Sequence, residues 1–255
     1  MENYRAEHEF CWLDLKVTDI SAAQVFYQEV LGWQFKEEAW PNRMYTTIYA
    51  NHGKLGGFTD VNSPIFPPGT KPHISLYMAV DNVEQSAVKV EEVGGTILIP
   101  PFDMADFGRM AVIQDNAGAV ISIWESEQFK GMNVDASCEG APCWFELETT
   151  DIERSGEFYR EVFNWNVERI EDSSLLRVCR YGGKSVGGMK QVASGTGISQ
   201  WRVGYTVIDL DKTAKKAIAL GARLTTDVYH FQAGRRIDLI DPEGVPIIFM
   251  EQAHN

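Results

Sequence analysis

The sequence is poor in the features that mark disulfide-linked, membrane-spanning and nucleic-acid-binding proteins. Four cysteines in 255 residues, with no Cys-x-x-Cys pair, do not make a disulfide scaffold. The longest apolar runs, such as VPIIFM, are too short to span a bilayer, and the charged start MENYRAEHEF lacks the apolar core of a signal peptide. Lys and Arg number 23 against 36 Asp and Glu, and the net charge of −13 disfavours nucleic acid and membrane surfaces as partners. We therefore expect a cytoplasmic protein.

The strongest positive feature is an internal repeat. CWLDLKVTDISAAQVFYQEVLGW (11–33) and CWFELETTDIERSGEFYREVFNW (143–165) align without a gap and share 11 of 23 positions. Chance would supply one or two matches at roughly 6% per position. Because the period of about 130 residues exceeds that of solenoid repeats, each copy should be a domain. The predicted organisation is an N-terminal domain at 1–126, a linker at 127–141 and a C-terminal domain at 142–255.

Each copy alternates between strand and helix patterns. Trp12, Asp14 and Lys16 alternate with apolar residues, as on a half-buried strand, and Asp19 or Ser21 then caps a helix. The expected apolar face of that helix is Val25, Phe26, Val30 and Leu31. Strand, helix and three further strands then recur within each copy. The prediction is an α+β fold of four βαβββ modules.

These segments resemble the vicinal oxygen chelate superfamily, which includes glyoxalase I, bleomycin-resistance proteins, extradiol dioxygenases and fosfomycin-resistance enzymes. The resemblance rests on three pairs of segments: VTDISAAQVFYQEVLGW and TTDIERSGEFYREVFNW, AVDNVEQSAVKVEEVGG and VIDLDKTAKKAIALGA, and QDNAGAVISIWE and IDPEGVPIIFME. It implies two tandem domains, each a curved, partly open barrel sheet around a cleft with helices outside. The sequence leaves open whether modules pair within a half or between halves.

The resemblance also implies where metal ligands would lie, on the first and last strands of each module. None of these positions carries imidazole, carboxylate or thiolate, the groups that divalent metals require. We therefore predict no metal and no cofactor. The positions are Trp12, Gly57, Ser75 and Ser122 in the first copy, and Trp144, Gly188, Val203 and Ile248 in the second.

Trp12 and Trp144 stand where the first ligand would be, on the strand face that lines the cleft. Indole can stack on an aromatic or cationic ligand. Asp14 and Glu146 come two residues later and point the same way, so each is a candidate general base or counter-ion. The alternative is that the tryptophans fill the clefts as core residues and arginines hold the acids.

Four further side chains are candidates. Arg109 and Arg235 follow glycine in FGR and AGR and would clamp a carboxylate or an enolate, unless they pair with a strand acid. His73 and Tyr77 share a strand face and would contact a ligand, although a lone histidine is more often structural. The predicted catalytic set is Asp14, Glu146, Arg109 and Arg235. The predicted ligand-binding set is Trp12, Trp144, His73, Tyr77, Trp201 and Tyr205.

Three functions are consistent with these candidate residues. The first is a metal-independent binder, of the bleomycin-resistance type, for a small aromatic or cationic organic molecule. The second is a metal-free isomerase, lyase or cyclase acting on a small carbonyl compound, with Asp14 or Glu146 as base. The third is a structural or regulatory partner with vestigial clefts. In each case we expect a monomer or a homodimer, and we favour the first cleft for its richer polar set.

Overall fold

The computed structural model describes residues 4–40, 43–169, 176–193, 199–231 and 234–252. Its described residues form two α+β halves that follow the same order of elements. No helix among them is long and apolar enough to cross a membrane. The first half comprises β1 (Phe10–Val17), α1 (Ile20–Leu31), β2 (Gln34–Trp40), β3 (Arg43–Ala50), β4 (Gly53–Asp60), β5 (His73–Ala79), α2 (Val83–Glu92), β6 (Thr96–Asp103), β7 (Gly108–Gln114) and β8 (Val120–Ser126).

The second half repeats this order with one additional short strand, β15. It comprises β9 (Pro142–Thr149), α3 (Ile152–Phe163), β10 (Asn166–Arg169), β11 (Leu176–Tyr181), β12 (Lys184–Gln191), β13 (Gln200–Thr206), α4 (Leu210–Ala219), β14 (Arg223–Leu224), β15 (Tyr229–Phe231), β16 (Gly234–Ile240) and β17 (Pro246–Gln252). The four βαβββ modules and their tandem arrangement are confirmed. The exact domain and linker boundaries stay predictions.

Each half builds its own sheet, and neither sheet closes into a barrel. The first has the strand order β2-β3-β4-β1-β5-β8-β7-β6, and the second has the order β10-β11-β12-β9-β13-β17-β16-β14, with β15 on β16. In both sheets the first strands of the two modules, β1 with β5 and β9 with β13, pair antiparallel at the centre. The modules therefore pair within a half, which answers the question that the sequence left open.

The repeated helix α1 and its counterpart α3 begin and end for the same local reasons. Asp19 and Asp151 have extended backbone angles, and their side chains accept hydrogen bonds from N–H groups of the first turn. Such a cap stabilises a helix by about 1 kcal/mol. Gly32 and Asn164 end the helices in the left-handed conformation, at φ 67° and 53°. One predicted core residue is wrong, because Val25 is 59% exposed.

The core runs through both halves as one cluster of buried residues. At the boundary, the rings of Phe10 and Phe145 stack with their centroids 4.2 Å apart. Trp33 Nε1 donates to the carbonyl of Gly140 at 2.8 Å. The two halves are thus packed against each other by aromatic side chains from the repeated segments.

The alignment of β5 with β13 that pairs Tyr77 with Tyr205 is wrong by one residue. It assumes that equivalent residues are 205 − 77 = 128 positions apart. The helices that follow begin at N-caps Asn82 and Asp209, an offset of 209 − 82 = 127. Trp12 lies opposite Tyr77 and Trp144 lies opposite Gly204, so the counterpart of Tyr77 is Gly204 and the two tyrosines are not equivalent.

Strand pairing gives the corrected positions. Ser75 lies opposite Asp14 on the neighbouring strand, and Arg202 lies opposite Glu146. Arg202, and not Val203, therefore occupies the ligand position that the resemblance implies for the third strand of the second half. By the same correction Gln200 is the counterpart of His73.

Candidate functional site

One face of the first sheet carries an aromatic cup, which we call the N-terminal cup. It surrounds a small cavity of about 30 Å³. Trp12 and Asp14 of β1 point into it together with Tyr77 of β5, because residues two apart on a strand share a face and Trp12 lies opposite Tyr77. The lining residues are Trp12, Asp14, Trp40, Arg43, Tyr45, Tyr77, Met104, Met110, Trp124 and Phe129.

The rings of the N-terminal cup contact one another at angles typical of aromatic packing. Trp40 lies 4.3 Å from Tyr45 and 6.0 Å from Trp12 between ring centroids. Phe129 meets Trp12 and Trp40 edge to face, both at 4.9 Å. Trp12 Nε1 also donates to Tyr45 Oη at 3.2 Å, which fixes the indole in its orientation. The predicted position of Trp12 on the cleft face is therefore what the structure has.

A buried ion pair lies beside these rings. Lys16 Nζ donates to Asp14 Oδ2, and Thr59 Oγ1 lies 2.9 and 3.0 Å from the two carboxylate oxygens. Both charged side chains are less than a tenth exposed. Because a buried charge is stable only when paired and hydrogen-bonded, Asp14 and Lys16 depend on each other.

Two phenols of the N-terminal cup stay protonated at neutral pH. Burial and the nearby charge of Asp14 raise the pKa of Tyr45 well above its ordinary value. The same two causes raise the pKa of Tyr77. Each hydroxyl is therefore a neutral hydrogen-bonding group toward the cavity and not a base.

The corresponding face of the second sheet, the C-terminal cup, holds charges where the first has apolar side chains. It consists of Trp144, Glu146, Arg202, Tyr229, Arg236 and Asp238. Arg236 Nη1 and Nη2 donate to Glu146 at 2.6 and 3.0 Å, and its Nε and Nη2 donate to Asp238, both at 2.9 Å. Arg202 also donates to Glu146, and its Nη1 lies 3.0 Å from Asp238. All four charged side chains are buried.

This network holds Glu146 ionised despite its burial. Burial alone would raise the pKa of Glu146, but the hydrogen bonds and charges of Arg236 and Arg202 lower it to about 2. Trp144 is half-buried, and its Nε1 lies 3.4 Å from Glu146 Oε2. Arg236 lies over the ring of Tyr229 at 5.0 Å. The acid expected as a base is thus neutralised by two arginines, the alternative that the sequence left open.

Arg109 and Arg235 lie on the helix side of their sheets, away from both cups. Arg109 pairs with Asp103 and with Glu84 at the start of α2. Arg235 pairs with Asp211 at 2.9 Å, in the first turn of α4, and with Glu251 at 2.7 Å. Their role in the structure is to join a helix N-terminus to the sheet, so we leave both out of the site.

The other predicted ligand-binding residues lie in different parts of the structure. Tyr77 lines the N-terminal cup, whereas His73 is exposed and its Nδ1 lies 2.8 Å from the carbonyl of Lys71. Trp201 is buried on the face opposite Arg202, and its Nε1 donates to Tyr159 Oη at 2.9 Å. Tyr205 is fully buried, with its ring 5.4 Å from that of Trp33. These two aromatic residues of β13 belong to the core between the halves.

Sequence reasoning missed Arg236 and Asp238 by choosing the neighbouring Arg235. A signal was available, because Asp238 lies opposite Ile248, a position that the resemblance placed on the cleft face. Arg236 shares that face, since it precedes Asp238 by two residues. No comparable signal identified Trp40, Tyr45 or Phe129, which reach the N-terminal cup from β2, β3 and the linker.

The residues of the two cups do not fit a metal ion. Strand pairing places indole, glycine, hydroxyl, aliphatic and guanidinium groups at the implied positions. The carboxylates of the two cups, Asp14, Glu146 and Asp238, are already paired with lysine or arginine. Across the described part of the chain, no group of three or more His, Cys, Asp and Glu side chains is arranged to hold one. Arg202 would in addition repel a cation in the second half.

Comparison with known proteins identifies the fold in both halves. The family model of the glyoxalase/bleomycin resistance protein/dioxygenase superfamily matches residues 10–123, and that of a glyoxalase-like domain matches 144–249. The protein CFP32 of Mycobacterium tuberculosis, described by its name as a candidate glyoxylase, is 31% identical over 91% of this chain and 90% of its own. The anthracycline biosynthesis protein DnrV of Streptomyces peucetius is 28% identical, over 94% and 92%.

A solved structure extends the similarity of fold. The Mn(II)-bound glyoxalase of Novosphingobium aromaticivorans superposes with a TM-score of 0.68, covering 97% of this chain and 83% of that one, at 14% identity.

Proposed function

Because the chain belongs to the glyoxalase/bleomycin resistance protein/dioxygenase superfamily, we propose that it binds a small organic molecule in the N-terminal cup without a metal ion. The observation that carries this proposal is the ring of aromatic side chains around Trp12, at a position where the resemblance implies a metal ligand. Aromatic walls of this kind offer stacking and apolar contact. Binding would then depend on surface complementarity in place of coordination.

The charge distribution favours the N-terminal cup over the C-terminal cup. In the second half, Glu146 and Asp238 already accept hydrogen bonds from two guanidinium groups. A ligand there would have to replace buried charge-assisted hydrogen bonds, each worth about 1.5–3 kcal/mol. In the first half, the equivalents of Arg236 and Asp238 are Met110 and Val112, which present apolar surface.

An aromatic ligand fits the N-terminal cup better than a cationic one. The carboxylate of Asp14 is balanced by the ammonium of Lys16. Arg43, at the rim, adds a positive charge over the ring of Tyr45, 5.0 Å from its centroid. A cation would meet this guanidinium, whereas a neutral or weakly anionic ring would not. The proposed ligand is therefore an aromatic molecule with few charges.

The second candidate is a metal-free isomerase or lyase that acts on a carbonyl compound. It is favoured by one observation, that the carboxylate of Asp14 and the neutral hydroxyl of Tyr77 line the same cavity. Asp14 would act as the general base that removes a proton from the substrate, and the hydroxyl of Tyr77 would donate a hydrogen bond to the developing oxyanion. In a binder, Asp14→Asn changes affinity and there is no turnover to lose, whereas in an enzyme it abolishes turnover and leaves affinity largely intact.

A ligand screen on the full chain tests the proposal. The name of the Streptomyces relative makes an anthracycline a first probe, beside naphthol and a quaternary ammonium ion. We expect the aromatic probes to raise the melting temperature and to quench tryptophan fluorescence. Trp12→Leu should abolish both effects, while the matched Trp144→Leu in the C-terminal cup should preserve them. If no aromatic probe binds, or if binding requires a stoichiometric metal detected by elemental analysis, the proposal is wrong.

A further inference from the structure

After β8 the chain continues along the N-terminal cup. Residues 127–131, which we call the strap, follow the last strand of the first half without regular structure. Glu127, Gln128 and Lys130 are exposed, whereas Phe129 turns inward and lines the cavity. The strap thus presents one aromatic side chain to the site and polar side chains to solvent.

Phe129 contacts most of the rings that would hold a ligand. Its centroid lies 4.9 Å from those of Trp12 and Trp40, which it meets edge to face, and 5.8 Å from that of Phe107, on which it stacks. Trp124 lies 6.0 Å away. Edge-to-face and offset contacts of this kind are those that a bound aromatic ring would make. The side chain of Phe129 therefore occupies the place of an aromatic ligand.

The remaining space is too small for a ring. The cavity of about 30 Å³ has room for a water molecule. An apolar cavity known to bind benzene measures about 150 Å³. An aromatic ligand of the proposed class consequently cannot enter while Phe129 is in position, and one of the lining side chains must leave.

Among the lining residues only Phe129 and Met104 lie outside the strands, and Phe129 is the aromatic one, so its side chain can leave without opening the sheet. Trp12, Tyr45 and Tyr77 stand on paired strands. The strap is held to the loop before β7 by backbone hydrogen bonds of 3.1–3.2 Å, from Glu127 and Phe129 to Phe107 and from Gln128 to Asp106. The carbonyl of Phe129 also accepts hydrogen bonds from Trp124 Nε1 at 3.1 Å and from Ser126 Oγ at 3.0 Å, so opening the strap has to break these bonds, whereas the ladder hydrogen bonds of the sheet stay intact.

Gly131 marks the far end of the strap. Its φ is 87°, and a Cβ at this position would lie 2.2 Å from the carbonyl oxygen of Cys11. Met132 N donates to that same oxygen at 2.6 Å, which fixes the chain to β1 beyond the strap. The strap therefore has a fixed point at Met132 and a glycine beside it that permits the backbone to turn.

We propose that Phe129 is an internal competitor for the ligand and that an aromatic ring binds by displacing it, so that the strap opens on binding. The inference rests on the function proposed above and adds the identity of the group that the ligand replaces. The ligand class is a planar ring that takes the edge-to-face contacts with Trp12 and Trp40. Because only molecules with an open strap can bind, the apparent Kd equals the Kd of the open form divided by the fraction of molecules that are open.

Removing the competitor tests this directly. We expect Phe129→Ala to lower the Kd for naphthol at least tenfold in calorimetric titration of the full chain, because the pocket is open in every molecule. The matched control is Phe102→Ala, which truncates a partly exposed phenylalanine of β6 outside the cup and should leave the Kd unchanged. Equal Kd values for wild type and Phe129→Ala would overturn the competitor model while the proposed function stands.

A second measurement uses the wild-type protein and does not depend on how the variant folds. Saturating naphthol should increase amide hydrogen exchange in residues 127–131 and leave exchange in β1 unchanged or slower. Binding with no change in the exchange of the strap would overturn the displacement. If neither wild type nor Phe129→Ala binds any aromatic probe, the proposed function itself fails, which is a different result from the two above.

Discussion

Asp14 and Glu146 hold equivalent positions on β1 and β9, yet the side chains around them differ in kind. Asp14 is balanced by a single ammonium from its own strand, whereas Glu146 receives two guanidinium groups from β13 and β16. A lysine gives one point charge, and an arginine gives a planar set of donors that fills both oxygens of a carboxylate. This difference leaves the first acid beside a cavity and makes the second part of a closed network.

The dependence of Asp14 on Lys16 gives a stability prediction. Asp14→Asn removes the negative charge and leaves a buried ammonium without its partner, which should lower the free energy of unfolding by about 3 kcal/mol. The double variant Asp14→Asn with Lys16→Met has no charge to bury and should recover most of that loss. Urea unfolding at pH 7 measures both. A single variant as stable as wild type would contradict the pairing.

For the strands and helices, the internal repeat predicted the four modules but not the face on which every side chain lies. The strand–helix order follows from local periodicity and the caps at Asp19 and Asp151 from the residue type that precedes each helix. The position of the tryptophans on the cleft face is what the family resemblance implies. The face on which Arg202 lies was predicted wrongly, because aligning Tyr77 with Tyr205 puts Val203 at the cleft position, one residue away from Arg202, which the strand pairing places there. A shift of one residue moves every side chain of a strand to the other face.

The residues that close the N-terminal cup were beyond sequence reasoning for a different reason. Trp40 and Tyr45 belong to the paired strands β2 and β3, at the end of the sheet and not next to β5, and Phe129 belongs to the linker. Periodicity describes which face a strand presents, and it contains no information on how far a sheet curls or where an irregular segment returns. Such contacts depend on tertiary packing alone.

The network across β9, β13 and β16 predicts how stability changes with acid. The pKa of Glu146 is about 2, below its ordinary value of 4.5, so its contribution is present above about pH 4.5 and is lost as pH falls toward 2. At pH 7, Glu146→Gln should therefore be less stable than wild type by roughly 3 kcal/mol. The difference should narrow as pH falls from about 4.5 toward 2, because the unfolded chain takes up a proton at Glu146 before the folded protein does.

Glu148→Gln is the matched control for that experiment. Glu148 lies on the same strand two residues later, 3.3 Å from Arg202, but it is more exposed than Glu146. Its loss should cost about 1 kcal/mol or less. Denaturant unfolding at several pH values compares the two variants, and a gap between wild type and Glu146→Gln that stays constant with pH would refute the assignment.

The two halves of the chain are joined by contacts that tie a turn of one to a helix of the other. Tyr27 of α1 donates to Asp241, in the turn before β17, at 2.7 Å, and Thr18 donates to Glu243 of the same turn. Trp165 Nε1, in the second half, donates to the carbonyl of His8, in the first, at 2.9 Å. Since one buried cluster includes residues of both halves, we expect them to unfold in a single transition.

Tyr27→Phe tests this coupling, and its effect should depend on pH. Burial raises the pKa of Asp241, while the hydrogen bond from Tyr27 partly opposes that rise. A raised pKa means that the contribution of Asp241 to stability is present in acid and lost as pH rises through the folded-state value. Without Tyr27 the ionised carboxylate loses a donor, so the variant should lose about 1–3 kcal/mol at pH 7.5 and less at about pH 4.

Calorimetry at both pH values separates the possible results. The variant should unfold in one transition with equal calorimetric and van't Hoff enthalpies, at a lower melting temperature than wild type. Tyr229→Phe, which removes the hydroxyl of an exposed tyrosine, should leave the melting temperature within about 1 °C of wild type. Two resolved transitions in the wild type would mean that the halves unfold separately. A loss that grows in acid would mean that Asp241 is not the group that Tyr27 stabilises.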